Sequence, residues 1–165
     1  MKLQSTRIMI DRQAQEQTKW CWAACADMVG EYAYDNPNFT ITQSRIVELV
    51  KGYVVNVTAS IEETVGALFR ATNQTIIGSY TDIDYFSYYD VVSEIDSNQL
   101  FIIRIGWEQG GGHFVVGSGY DHVLNEIFIV NPKPESECKY YEYIELVRGT
   151  KITGVKGSWT DTIYY

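Results

Sequence analysis

A chain of 165 residues with 45% hydrophobic and 14% aromatic content can bury a sizeable core, and its composition is neither that of a disordered nor of a membrane-spanning protein. Its net charge of −8 argues against nucleic acid or an anionic membrane surface as a partner. Three cysteines cannot all pair within one monomer, which suits a thiol-dependent protein better than a disulfide-stapled one.

The first ten residues lack the continuous apolar core of a signal peptide. The expected location is therefore cytoplasmic as synthesised, with signal-independent secretion as an effector left open. A short edge strand is expected over Arg7–Ile10. Trp22, Cys25, Ala26 and Val29 recur at helical spacing among good helix formers, which predicts a helix from Cys21 to about Tyr34. Asp35-Asn36-Pro37-Asn38 stops it. Thr42-Gln43-Ser44 offers caps for a second helix over Arg45–Lys51, ended by Gly52. Ser60 and Glu63 read as a capping box for a third, about Ile61–Thr72. The tyrosine- and aspartate-rich stretch Tyr80–Tyr89 is either plain packing or a recognition loop, and Tyr88–Asp96 forms a fourth helix.

After Asn98 the character changes to β. Leu100–Trp107 is rich in β-branched and aromatic residues; Gly110-Gly111-Gly112 interrupts, and His113–Val116 resumes. Glu126–Val130 follows, closed by Asn131-Pro132, and then Tyr140–Leu146 and Trp159–Tyr164. Helices first and strands afterwards, without alternation, predict an α+β fold in which an N-terminal helical part packs on a C-terminal antiparallel sheet. No repeat or linker divides the chain, so residues 1–165 are expected to form one domain.

Cys21 falls at a helix N-terminus, where the backbone dipole favours an anion and lowers a thiol's pKa. Taken alone, it reads as readily as a small buried apolar residue. His113 follows three glycines that would leave its ring uncrowded, and Asn131 ends the next strand. On neighbouring antiparallel strands the Asn131 amide oxygen could accept the imidazole N–H and aim the other ring nitrogen at a thiol. His122, beside Asp121 in a turn, reads as structural, and Asp121 is the reserve candidate for orienting His113. Gln15 lies six residues before Cys21, close enough for its side-chain amide to join the Cys21 N–H in an oxyanion hole.

The ordered set Gln15, Cys21, His113, Asn131 resembles the papain-like cysteine peptidases. It is most similar to the bacterial AvrRpt2-type (C70/C39-like) branch, through Gln15-x5-Cys21-Trp22-Ala23-Ala24, Gly110-Gly111-Gly112-His113-x-Val115-Val116 and the Asn131-Pro132 strand end. Arg104-Ile105-Gly106-Trp107 and the terminal Trp159-Thr160-Asp161-Thr162 extend the likeness over roughly residues 10–165. The resemblance implies a papain-like fold and a cysteine endopeptidase working through a thioester. Cys21 would be the nucleophile, His113 the proton shuttle, Asn131 its orienter and Gln15 an oxyanion donor, with a protein or peptide as substrate and no cofactor. Many relatives carry aspartate where Asn131 stands, so orientation is kept while a charge is lost. The same machinery serves deamidation and transglutamination, and an inactive peptide-binding module is a further alternative. Cys21, Cys25, His113 and Cys138 also have the donor types of a zinc site, though their spacing is poor for one. The oligomeric state and the substrate's identity are left open.

Overall fold

The computed structural model describes residues 4–81 and 85–165, and part of the Tyr80–Tyr89 stretch lies outside the described residues. Three helices come first: α1 (Cys21–Tyr34), α2 (Gln43–Lys51) and α3 (Ile61–Ala71). A short β2 (Ser79–Tyr80) and α4 (Tyr88–Asp96) lead into β3 (Phe101–Trp107), β4 (Gly112–Asp121), β5 (Glu126–Val130) and β6 (Lys139–Glu142). Helix α5 (Tyr143–Arg148), β7 (Thr150–Lys151) and β8 (Lys156–Tyr164) end the chain, and β1 (Ser5–Arg7) precedes α1. All strands pair antiparallel in one sheet of order β2-β8-β3-β4-β5-β6, with β1 added to β4 and β7 to β8. The mixed architecture of helices against an antiparallel sheet is the one expected. No helix among the described residues is long and apolar enough to cross a membrane.

Local chemistry accounts for the helix boundaries. Ser60 accepts from the Glu63 N–H while the Glu63 carboxylate accepts from the Ser60 N–H, the reciprocal box read from the sequence. Ser87 and Asp90 build a second box on α4. Gly52, with φ 86°, ends α2 in the left-handed conformation that favours glycine.

The core lies between α1 and the sheet. Residues 21–30 of α1 are buried on every side, because α2 and α3 cover the face that β3 and β4 leave open. A helix buried all round needs small residues where neighbours come closest. Gly30 is such a point, since a Cβ there would stand 2.6 Å from the Ala71 Cβ of α3. Trp22 and Trp159 are fully buried, and Trp159 stacks on Phe101 with the rings 7° from parallel. Truncating either tryptophan to alanine would cost about 3–5 kcal/mol.

The main departures from the sequence reading fall at four places. β1 is Ser5–Arg7 rather than Arg7–Ile10, because its register with Asp121, Tyr120 and Gly119 ends at Arg7. β4 runs on to Asp121 through Gly117 and Gly119, with a bulge between them that absorbs the glycines. Tyr143 opens a helix instead of prolonging the preceding strand, its N–H donating to the Asn125 carbonyl and Leu146 buried one turn later. β8 begins at Lys156, since β7 and Trp107 of β3 supply pairing partners upstream of Trp159.

Candidate active site

The segment before α1 is strapped down by hydrogen bonds to three other places in the chain. The Gln15 N–H donates to the Pro132 carbonyl at 2.8 Å, tying this segment to the corner that follows β5. Gln43, 2% exposed at the start of α2, clasps the backbone on both sides of Gln15. Its Nε2 donates to the Ala14 carbonyl at 2.9 Å, and its Oε1 accepts from the Glu16 N–H at 3.0 Å. The Trp20 and Trp22 indoles donate to the Val55 and Val57 carbonyls, and Asn56 bonds Lys19 N–H and Thr18 Oγ1. The chain therefore enters α1 at a fixed angle.

Trp20 caps α1 with no side-chain hydrogen bond and the first turn carries no acid. The helix N-terminus is thus left to act on Cys21, its first residue. The backbone N–H groups of Phe114, Trp22 and Cys21 itself act on the Cys21 sulfur in favour of its anion. β5 pairs with β4 only from Val116 onward, and Phe114 precedes that pairing. The thiol therefore lies against the peptide unit that leaves His113. These donors and the Arg104 guanidinium lower the Cys21 pKa, but burial outweighs them and holds it above the ordinary thiol value. The lowered pKa expected from the helix end alone is corrected accordingly: the dipole acts, but a residue 8% exposed gives up too much hydration.

On β4, His113 Nε2 lies 2.8 Å from Asn131 Oδ1. The same Oδ1 is 3.0 Å from the Lys133 N–H, a group that can only donate. That contact identifies the Asn131 atom as the oxygen and makes His113 Nε2 the protonated nitrogen. Nδ1 is then left with its lone pair, the form a general base requires. Trp107 stacks beside the imidazole, 6.0 Å between ring centres and 10° from parallel. Desolvation pushes the His113 pKa down to about 4, opposed by the Asn131 bond and aided by the Lys133 charge. Burial thus favours the neutral form of both the thiol and the imidazole.

The glycines before His113 shape the backbone, while the ring expected to be uncrowded is buried and flanked by Trp107. Gly110 and Gly111 turn the chain at φ 94° and 79°, and a Cβ on Gly112 would meet the Ile105 carbonyl at 2.6 Å. Asn131 is completely buried. Its carbonyl accepts from Arg12 Nε at 2.7 Å, a second Arg12 nitrogen donates to the Lys133 carbonyl, and its N–H points to Cys138 Sγ at 3.4 Å. Its Nδ2 has no partner among the described residues.

Gln15 differs in detail from its expected role. Its Nε2 donates to the Gln17 and Thr18 carbonyls, both at 2.9 Å, while its Oε1 is buried without a partner among the described residues. The amide closes its own loop in this structure. Asp121 lies at the far end of β4 from His113 with its Oδ1 on the Val123 and Leu124 N–H groups, so it cannot orient that ring. His122 packs against Tyr120 and Tyr88 at that same end. Cys25 is fully buried and Cys138 half-buried, and among the described residues no group of three or more His, Cys, Asp or Glu side chains is placed to hold a metal ion. Gln43 and Arg104 were not read as site residues. Gln43 looked like a helix cap, and only the fold brings it beside residue 15.

With this geometry in place, comparison with known proteins is decisive at the family level. The Peptidase_C39 like family matches residues 7–163. The chain belongs to that family. A search of curated proteins finds none that matches. Among solved structures, the peptidase domain of Streptococcus ComA, described as a bifunctional ABC transporter involved in quorum sensing, superposes with a TM-score of 0.64. It is 16% identical and covers 92% of this chain and 93% of its own. A Bacillus anthracis chain described as a C39-like peptidase superposes at 0.61, with 14% identity and coverage of 98% and 97%. At these identities the likeness shows the fold, the papain-like one of C39 peptidase domains. For the C39-like chain described here, family membership suggests cysteine peptidase activity.

Proposed function

We propose that this C39-like protein is a cysteine endopeptidase using Cys21, His113 and Asn131 as a triad. The observation that carries the reading is the 2.8 Å contact of His113 Nε2 with Asn131 Oδ1, its polarity set by the Lys133 N–H, beside a thiol at an uncapped helix N-terminus. Nδ1 of His113 takes the Cys21 proton as the sulfur attacks the scissile carbonyl. The C–N bond then breaks, the imidazolium returns the proton to the leaving amine, and a thioester remains. Water, deprotonated by the same nitrogen, releases the acid and restores the thiol. With both groups favoured neutral, charge develops as the proton moves from the thiol to the imidazole. The helix N–H groups and the Arg104 guanidinium are set to stabilise it then.

Oxyanion stabilisation falls to the Cys21 N–H and to Gln15, which would release one of its two loop carbonyls to donate to the substrate oxygen. The substrate is a protein or peptide, and neither nucleic acid nor a membrane surface has a role. The likeness to AvrRpt2-type enzymes rests on the Gln15-to-Cys21 spacing and the glycine-histidine strand. Profiling a peptide library with purified protein tests the reading. Cleavage giving a free acid and a free amine is expected, lost by about 10⁴-fold or more in Cys21→Ala with the fold retained. Ammonia release without chain cleavage would indicate a deamidase, and an inert parent protein would indicate a binding module.

A further inference from the structure

A cavity of about 460 Å³ opens beside the C-terminal half of α1. Its lining includes the acids Asp27, Glu31 and Asp35 and the apolar or aromatic Tyr34, Phe39 and Ile41. Asp27 is 8% exposed, yet among the described residues no hydrogen bond or ion pair reaches its carboxylate. The charges acting on it are those of Glu31 and Glu16, both of its own sign. Among the described residues no Lys, Arg or His lines the cavity. Among the described residues the Glu31 carboxylate is held only by a neutral donor, Gln13 Nε2, at 2.8 Å.

A buried carboxylate without a partner costs stability that an asparagine of the same shape would avoid. Its presence in a roomy cavity lined also by two more acids and two aromatic rings is the signature of a site complementary to a positive charge. The acids are not gathered as metal donors, which favours an organic cation carrying its own hydrogen atoms. A volume of this size admits a long side chain with part of its backbone.

We propose that this cavity binds the ammonium or guanidinium of a basic side chain on the polypeptide that the enzyme processes. The processing half of the statement rests on the peptidase reading, whereas the cation site does not. Along α1 the cavity runs from about 9 Å beyond Cys21 at Asp27 to about 21 Å at Asp35. An extended chain advances about 3.3 Å per residue. The lysine or arginine therefore lies roughly three to six residues from the scissile bond.

The binding test uses full-length Cys21→Ala protein and ¹³C NMR of the Asp27 and Glu31 carboxyl groups. Nα-acetyl-lysine amide and Nα-acetyl-arginine amide should shift both resonances saturably, while the norleucine amide should not. Asp27→Asn should weaken that binding at least tenfold without loss of fold. Equal shifts from norleucine, or unchanged binding by Asp27→Asn, would overturn the cation site. Spermidine serves as the free-amine arm, and saturable binding of spermidine with none of a lysine-containing decapeptide would overturn the polypeptide source. For turnover, paired peptides carry lysine or norleucine at the stated distance. The parent should prefer lysine at least tenfold through KM with kcat unchanged, and Asp27→Asn should abolish the preference. A parent that cleaves neither peptide yet binds lysine amide would sink the peptidase reading alone; one that cleaves both equally would sink the processing half of this proposal.

Discussion

The two halves of α1 are built on opposite terms. At its N-terminal end most polar groups around the thiol have named partners, Gln15 Oε1 and Asn131 Nδ2 excepted: Gln43 clasps residues 14 and 16, two indoles anchor the loop, and the His113 ring is held at a known nitrogen. Along its later turns Asp27 sits buried with like charges for company. The first arrangement fixes atoms where a reaction needs them, the preorganisation that lowers a barrier. The second holds a charge against its preference and has work to do only when a ligand arrives. Variants at the first end should therefore change turnover, and variants at the second should change affinity and stability.

After loss of the thiol itself, the largest effect separating the ends is expected at Gln15. An oxyanion donor contributes a factor of about 10²–10³, so Gln15→Ala should lower kcat by that order with KM little changed. Gln17→Ala and Gln13→Ala should keep near-parental kcat, because Gln17 gives only its carbonyl to the loop and Gln13 reaches Glu31. Steady-state kinetics on one peptide decide the matter. If Gln15→Ala turns over normally, its amide serves loop closure alone, as its bonds to the Gln17 and Thr18 carbonyls allow.

Asn131 comes next. Asn131→Ala leaves His113 Nε2 without its acceptor and frees the ring to change tautomer, a misplacement worth about 10²-fold. Asn131→Asp keeps the acceptor and adds an anion, which favours the imidazolium and raises a pKa now near 4. The acid limb of kcat/KM against pH, where the thiol–imidazole pair gains a proton, should move to higher pH in Asn131→Asp. A limb that stays in place would show that Asn131 does not govern His113. A smaller loss, about tenfold in kcat, is expected for Gln43→Ala, which lets the Gln15 loop relax while touching no reacting atom. Gln43→Glu should not rescue it, since a carboxylate cannot donate to the Ala14 carbonyl.

The reactive end was legible in the sequence because each of its chemical parts is a local signal. Cys21 opens a periodic helix whose observed limits are those expected, His113 follows its glycines, and Asn131 closes a strand. What was not legible depends on chain distance. Gln43 reaches residue 15 only because α2 folds back over the loop, and the cavity joins α1 to Phe39 and Ile41, which no periodicity relates. The Tyr143 helix was missed for a different reason: six residues are too few to distinguish a helical from an alternating pattern. The thiol's raised pKa also required the fold, because a helix end is visible in sequence and the burial opposing it is not.

Asp27→Asn carries the smallest effect on turnover and the sharpest test of the comparison. Burial, with Glu31 and Glu16 adding to it, raises the Asp27 pKa from 3.8 to about 7. The folded protein therefore holds a proton that the unfolded chain has released between those values. Below about pH 4 both states carry the neutral acid, and Asp27 costs what asparagine would. As pH rises through the window the unfolded state gains relative to the folded one, and above about pH 7 the full cost is present. The amide that replaces the carboxyl group does not titrate, so the Tm difference, variant minus parent, should be near zero at about pH 4, grow through about pH 5–7 and level off above. On a peptide without basic residues the two proteins should turn over alike. Lysine amide at about pH 8 should shrink the Tm difference, because a bound ammonium stabilises the carboxylate in the parent and finds none in the variant. A Tm difference independent of pH would mean that Asp27 is solvated or paired in solution, and the contrast between the two ends of α1 would fail.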